Sequence, residues 1–157
     1  MFFSSTVKKG KNHVLPAHDF CPFSPIYTCF IQNCPLVSPR LYLWQYYDQN
    51  PDNLSEDELI DWYMKEFYNL RLKSLNPYEL MDILNQKFGN NIIFLCHELP
   101  GVEINKEHFC HRRLLADWME LETGILIPEL SIDEDGNIKT EKVYNLKPKI
   151  KKIIKKY

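Results

Sequence analysis

An uninterrupted apolar run, Ile92-Ile93-Phe94-Leu95, closed by Cys96, constrains this chain more than any other stretch. Apolar residues in a row, without alternation, predict a strand buried on both faces. A helical pattern over 77–88 precedes it, and another over about 107–122 follows. Ile125 to Leu130 then reads as a further strand. Helix, strand, helix, strand predicts a βαβ unit. With a first strand over Phe2–Val7, the expectation is an α/β protein: an open, mostly parallel sheet with helices on both faces.

The remaining elements follow from local chemistry. Ser55 to about Leu72 reads as a helix, with Ser55 as cap and Glu56, Asp57 and Glu58 at the positive end of its dipole. Leu59, Trp62, Tyr63, Phe67 and Leu70 recur there at helical spacing. Asn76 caps the 77–88 helix, Pro77 takes its first position, Glu79 completes a capping-box-like pattern and Gly89 ends it. Leu80, Ile83, Leu84 and Phe88 are its expected buried stripe. Leu114, Leu115, Trp118 and Leu121 are the expected inner face of the later helix. Prolines at 16, 22, 25, 35 and 39 exclude a helix over 14–39, where Ile26–Ile31 is the one plausible strand. Leu41–Tyr47 reads as a short helix. Its aromatics Tyr42, Trp44, Tyr46 and Tyr47 point to core packing rather than base stacking. Asp135-Gly136-Asn137 is a hairpin turn.

A chain of 157 residues, 45% hydrophobic and 25% charged, is one folded domain by length and composition. No apolar run reaches the length of a membrane span, and the first residues lack a basic segment before an apolar one. Five cysteines (21, 29, 34, 96 and 110) without regular spacing argue against a disulfide framework and for a reducing, cytoplasmic compartment. The net charge is −2, but 147–157 holds six lysines and no acid, leaving the rest at −8. The expected division is therefore a body over 1–146 and a basic tail over 147–157. Such a tail either holds nucleic-acid phosphates through Lys147–Lys156 or is a solvated face. Asn, Lys and Ile content suits an AT-rich bacterial or phage genome.

The candidate site lies where the buried strand ends and the next helix begins. Cys96 and Glu98 close the strand, and Cys110, His111, Arg112 and Arg113 open the helix. Residues 97–106 form a loop of about ten, against roughly 2–6 for an ordinary connector. A helix start favours an anion and a thiolate. Arg112 and Arg113 add a bidentate grip on phosphate or carboxylate. Glu98 or His111 supplies acid–base chemistry, and Cys96 or Cys110 a thiol. Ser5, near the end of the first strand, and Arg40, after Ser38-Pro39, reach the same edge as further ligand-binding residues. Each residue also has a structural reading. The thiols pack as small hydrophobes, His111 bonds a carbonyl on the face of Leu115 and Trp118, and Glu98 pairs with an arginine. The ligand spacing is not that of a zinc site, so no metal and no cofactor is assigned. The lack of a Gly-rich phosphate loop argues against a Walker-type NTPase or dinucleotide enzyme.

The residues Leu95-Cys96-His97-Glu98, then Cys110-His111-Arg112-Arg113-Leu114-Leu115-Ala116-Asp117-Trp118, resemble the hallmark of the domain of unknown function 488 family. Gly124 and the stretch to Glu129-Leu130 fit as well, as do Leu75-Asn76-Pro77, Ser4-Ser5-Thr6 and Ser38-Pro39-Arg40. The resemblance spans roughly residues 2–130 and is strongest over 75–130. The chain departs from the family in its longer 98–110 loop and in the hairpin and lysine tail after 130. The resemblance implies a Rossmann-like fold and shared positions Cys96, Glu98, Cys110, His111 and Arg112, without a settled activity.

Three functions are then open. One is a small enzyme acting on a nucleotide-like or phosphorylated substrate. Another is a non-catalytic module binding an anionic ligand or nucleic acid. The third is a thiol redox or metal-binding protein using Cys96 and Cys110.

Overall fold

The computed structural model describes residues 2–6, 27–30, 37, 41–89, 92–96, 109–133, 135, 137–141 and 145–156. Their elements, in order, are β1 (Phe2–Thr6), β2 (Tyr27–Phe30), α1 (Leu41–Gln49), α2 (Glu56–Phe67), α3 (Pro77–Phe88), β3 (Ile92–Cys96), α4 (His111–Thr123), β4 (Glu129–Ile132), β5 (Ile138–Thr140) and α5 (Lys147–Lys156). A π-helical segment, Tyr68–Leu72, extends α2 and closes with Lys73 N–H donating to the Tyr68 carbonyl at 2.9 Å.

Local signals set the helix ends. Glu58 reaches back to accept from the Ser55 N–H and hydroxyl, tying down the start of α2. The Asn76 side chain accepts from the N–H groups of Tyr78 and Glu79, with Pro77 in the first turn of α3. Gly124 ends α4 with φ +72°, a left-handed conformation that a Cβ would strain.

The strands lie in the order β2-β3-β1-β4-β5. The pairs β2–β3, β3–β1 and β1–β4 run parallel, and β4–β5 is antiparallel. This arrangement corrects the fold class read from the sequence. A Rossmann-like open sheet places consecutive strands side by side, with a crossover helix packed on the sheet. Here β3 separates β2 from β1, and α1, α2 and α3 all fall between β2 and β3. Most of the described residues are helical, and the hairpin β4–β5 is antiparallel. The core is built mainly of helix against helix. Leu43 and Tyr47 of α1, Tyr63 and Phe67 of α2, Leu80 and Leu84 of α3, Leu114 and Trp118 of α4 and Ile150 of α5 share one cluster, to which β3 adds Ile92 and Phe94.

Three smaller expectations also change. Ile83 of the expected α3 stripe is exposed, Leu80 and Leu84 are buried, and the Phe88 side chain lies outside the described residues. Helix α4 has no single inner face, because every residue from His111 to Glu120 is buried. Residues 125–128 are not strand. The Ile125 N–H donates to Thr123 Oγ1 at 3.1 Å and the Ile127 N–H to Glu120 Oε1 at 2.6 Å. Side chains of α4 thus satisfy that backbone in place of a neighbouring strand, and Pro128 has no N–H to give a ladder. Ile125 and Leu126 are exposed accordingly.

The lysine-rich segment is a docked helix. Ile150 is buried and Ile153 and Ile154 are partly so. The Leu146 N–H, just before α5, donates to the buried carboxylate of Asp117 at 2.7 Å. Lys147 pairs with Glu120, and Lys149 with Asp61 at 2.6 Å and Asp57 at 3.3 Å.

Candidate functional site

The start of α4 brings four of the expected site residues together. Cys110 is the N-cap rather than a first-turn residue. Its backbone is extended, and its carbonyl accepts from the N–H groups of Arg113 at 3.1 Å and Leu114 at 3.3 Å. The Cys110 thiol is buried and in no disulfide. His111 is buried in an aromatic enclosure, edge-on to Trp44 at 5.6 Å and 6.2 Å from Phe67 between ring centroids.

The two arginines turn inward. Arg112, 1% exposed, forms an ion pair with Glu129 of β4. Arg113, 2% exposed, reaches Asp117 at 2.7 Å, Glu120 at 3.3 Å and the Ile127 carbonyl at 3.3 Å. The expected bidentate grip on a ligand is therefore directed at internal carboxylates. Burial pushes the Asp117 carboxyl above its usual range, partly offset by Arg113, the Leu146 N–H and Lys147. Burial raises Glu129 too, against the pull of Arg112 and Arg113.

The other expected site residues are placed only in part. Ser5 lies on β1 opposite Leu95 of β3, and Thr6 opposite Cys96, so Ser5 and Cys96 are near neighbours along adjacent strands. The side chains of Ser5 and Cys96, and all of Glu98, Arg40 and the 97–108 loop, lie outside the described residues. Among the described residues no group of three or more His, Cys, Asp or Glu is gathered to hold a metal. No helix among them is long and apolar enough to cross a membrane.

Sequence reasoning missed the partners. The spacing of Arg113, Asp117 and Glu120 puts them on one helical face, a signal that was available. Nothing in the sequence marks Glu129 as the counter-ion of Arg112.

A second charged surface lies between α2 and α5. A groove of about 450 Å³ is lined by Asp57, Asp61, Lys65, Lys149, Lys152, Ile153 and Lys156. Burial lowers the Lys149 pKa, but its hydrogen bonds and charge contacts with Asp61 and then Asp57 outweigh this and raise it overall. Lys151, Lys152, Lys155 and Lys156 of α5 are all exposed.

Comparison with family models, curated proteins and solved structures finds no match to this chain. The resemblance to the domain of unknown function 488 family rests on its motif residues alone.

Proposed function

We propose that the chain is a non-catalytic binding module whose anionic partner is a nucleic acid held by α5. One observation carries the reading. The basic segment is a helix docked on the core through Ile150, the Asp117–Leu146 hydrogen bond and the Lys147 and Lys149 ion pairs, with Lys151 and Lys155 exposed and Lys152 and Lys156 exposed along the groove beside α2. A docked helix presents its charges as one surface and loses less conformational freedom on binding than a flexible tail. The segment holds no arginine, which argues against a bidentate phosphate clamp and leaves non-specific attraction between ammonium groups and phosphates. The α4 start supports a ligand-gripping enzyme less well, because both guanidinium groups face internal carboxylates.

The test is fluorescence anisotropy with labelled RNA and DNA oligonucleotides across a salt series. Affinity should fall steeply with salt. Exchanging Lys151, Lys152, Lys155 and Lys156 for Gln should flatten the logarithmic slope by about 0.7–0.9 for each phosphate no longer neutralised. Deleting α5 would be a poor substitute, since it also removes Ile150 from the core. No binding at low salt, or an unchanged slope in the four-lysine variant, overturns the proposal.

A further inference from the structure

We infer that the α2–α5 groove takes a sugar–phosphate end, with phosphate at its lysine end and sugar hydroxyls at its carboxylate end. The inference rests on the nucleic-acid reading and deepens it by naming the part of the ligand that enters the protein. The groove's volume, about 450 Å³, falls within the range of roughly 300–1,000 Å³ usual for small-ligand sites.

Charged side chains recur along the groove, with Ile153 among them. Asp57, Asp61 and Lys65 recur every four residues, so they line one face of α2. Lys149, Lys152 and Lys156 form the matching face of α5. Lys149 meets both aspartates, which fixes one end as two carboxylates sharing one ammonium. Lys65 lies one turn beyond Asp61, and Lys152 and Lys156 lie one and two turns beyond Lys149. Lys152 and Lys156 therefore lie along α5 beyond Lys149, the residue that meets the aspartates.

Each end selects a different chemistry. Lys152 and Lys156 have no ion-pair partner among the described residues and suit phosphate oxygens. At the other end Lys149 engages Oδ1 of each aspartate, leaving each Oδ2 to accept. The side chains of Asp57 and Asp61 are 91% and 61% exposed, so an incoming group can reach them. Phosphate cannot donate to these carboxylates, whereas the vicinal hydroxyls of a ribose can. The shared chemistry is a ribose phosphate with a free diol, which either the 3′ end of an RNA strand or a free ribonucleotide supplies.

The experiment compares four probes on the full chain by anisotropy and NMR titration: an RNA oligonucleotide with a free 3′-terminal diol, the same strand ending in a 2′,3′-dideoxynucleotide, the matching DNA, and a free ribonucleoside monophosphate. The first two carry equal phosphate charge and differ in the hydroxyls alone. The diol strand should bind about threefold or more tighter than the dideoxy strand, the effect of a charge-assisted hydrogen bond at an exposed site. D57A/D61A should abolish that ratio, so that the diol and dideoxy strands bind equally. K152Q/K156Q should weaken every probe. Equal binding of both RNA strands, or a ratio unchanged in D57A/D61A, overturns the inference and leaves the α5 reading standing. Binding of the free nucleotide, lost in D57A/D61A, with no oligonucleotide binding, removes the nucleic-acid reading and assigns the groove to free nucleotides. If no probe binds, both fall.

Discussion

Replacing Asp117 with alanine should cost more stability than any exposed substitution in this chain, because one carboxylate joins two elements. It is fully buried, accepts from Arg113 at 2.7 Å and accepts from the Leu146 N–H at 2.7 Å. Its loss leaves a buried guanidinium short of a counter-charge and a buried N–H without an acceptor. Breaking one side of a buried ion pair costs about 3–5 kcal/mol. Arg113 keeps Glu120 and the Ile127 carbonyl, both at 3.3 Å, which moves the cost to about 3 kcal/mol. The orphaned N–H adds about 1–3 kcal/mol. Relief of the carboxylate's own burial penalty, seen in its raised pKa, subtracts from the sum. A net loss of about 3–4 kcal/mol is expected, a large part of the roughly 5–15 kcal/mol that holds a typical domain. Urea unfolding followed by tryptophan fluorescence measures it, with Trp118 as the neighbouring reporter. Asp117→Asn keeps an acceptor for Leu146 and should lose less. A loss below about 1 kcal/mol for alanine, well under the buried-pair range, or an asparagine variant as damaged as the alanine one, refutes the reasoning.

Glu129 gives a pH signature. Its folded pKa is raised, so the native state holds a proton at pH values where the unfolded chain has lost it. Its contribution is then fullest below the unfolded value near ~4.3 and declines as pH rises through the folded pKa. The stability of wild type minus that of Glu129→Gln should fall as pH rises from 4 upward, and a rising difference sinks the assignment. Gly124→Ala meets no atom within 4 Å of its new Cβ, so only the left-handed backbone resists. A loss of about 1 kcal/mol in urea unfolding is expected, and no loss contradicts it. Cys110 should resist alkylation in the native protein and react in urea, given its burial. Mass mapping that finds immediate native modification at Cys110 overturns this.

Much of the local structure was legible in the sequence. Asn76-Pro77 and Ser55 with Glu58 mark helix starts through capping chemistry acting over four residues. The apolar run from Ile92 marks a strand by lack of alternation, with Ile92, Ile93 and Phe94 buried, and Asp135 marks the turn between β4 and β5. The failures are tertiary. Periodicity shows that each of α1, α2 and α3 has an apolar side but not that they pack on one another, so the sheet was given too large a share of the core. The Cys110-His111-Arg112 run was correctly placed at a helix start. Its orientation depends on Glu129 and on the surroundings of α4, which lie elsewhere in the chain. The lysine segment read as a basic tail with isoleucines spaced for a short helix, and the helix is present; its docking through Ile150, Ile153 and Ile154 depends on surfaces elsewhere in the chain.

Helix α4 is enclosed on every side, with Arg112, Arg113 and Asp117 as deeply placed as Leu114 and Trp118. An amphipathic helix records its environment as a rhythm of tolerance, lenient where it meets water and strict where it meets the core. That rhythm should be missing here. In a saturation mutagenesis screen of folded abundance, positions 111–120 would form an unbroken band of intolerance, charged residues included. The adjoining stretch at Ile125 and Leu126 would accept almost anything. A profile of that shape looks like an active site to anyone reading tolerance alone, and in this protein it would mark a beam.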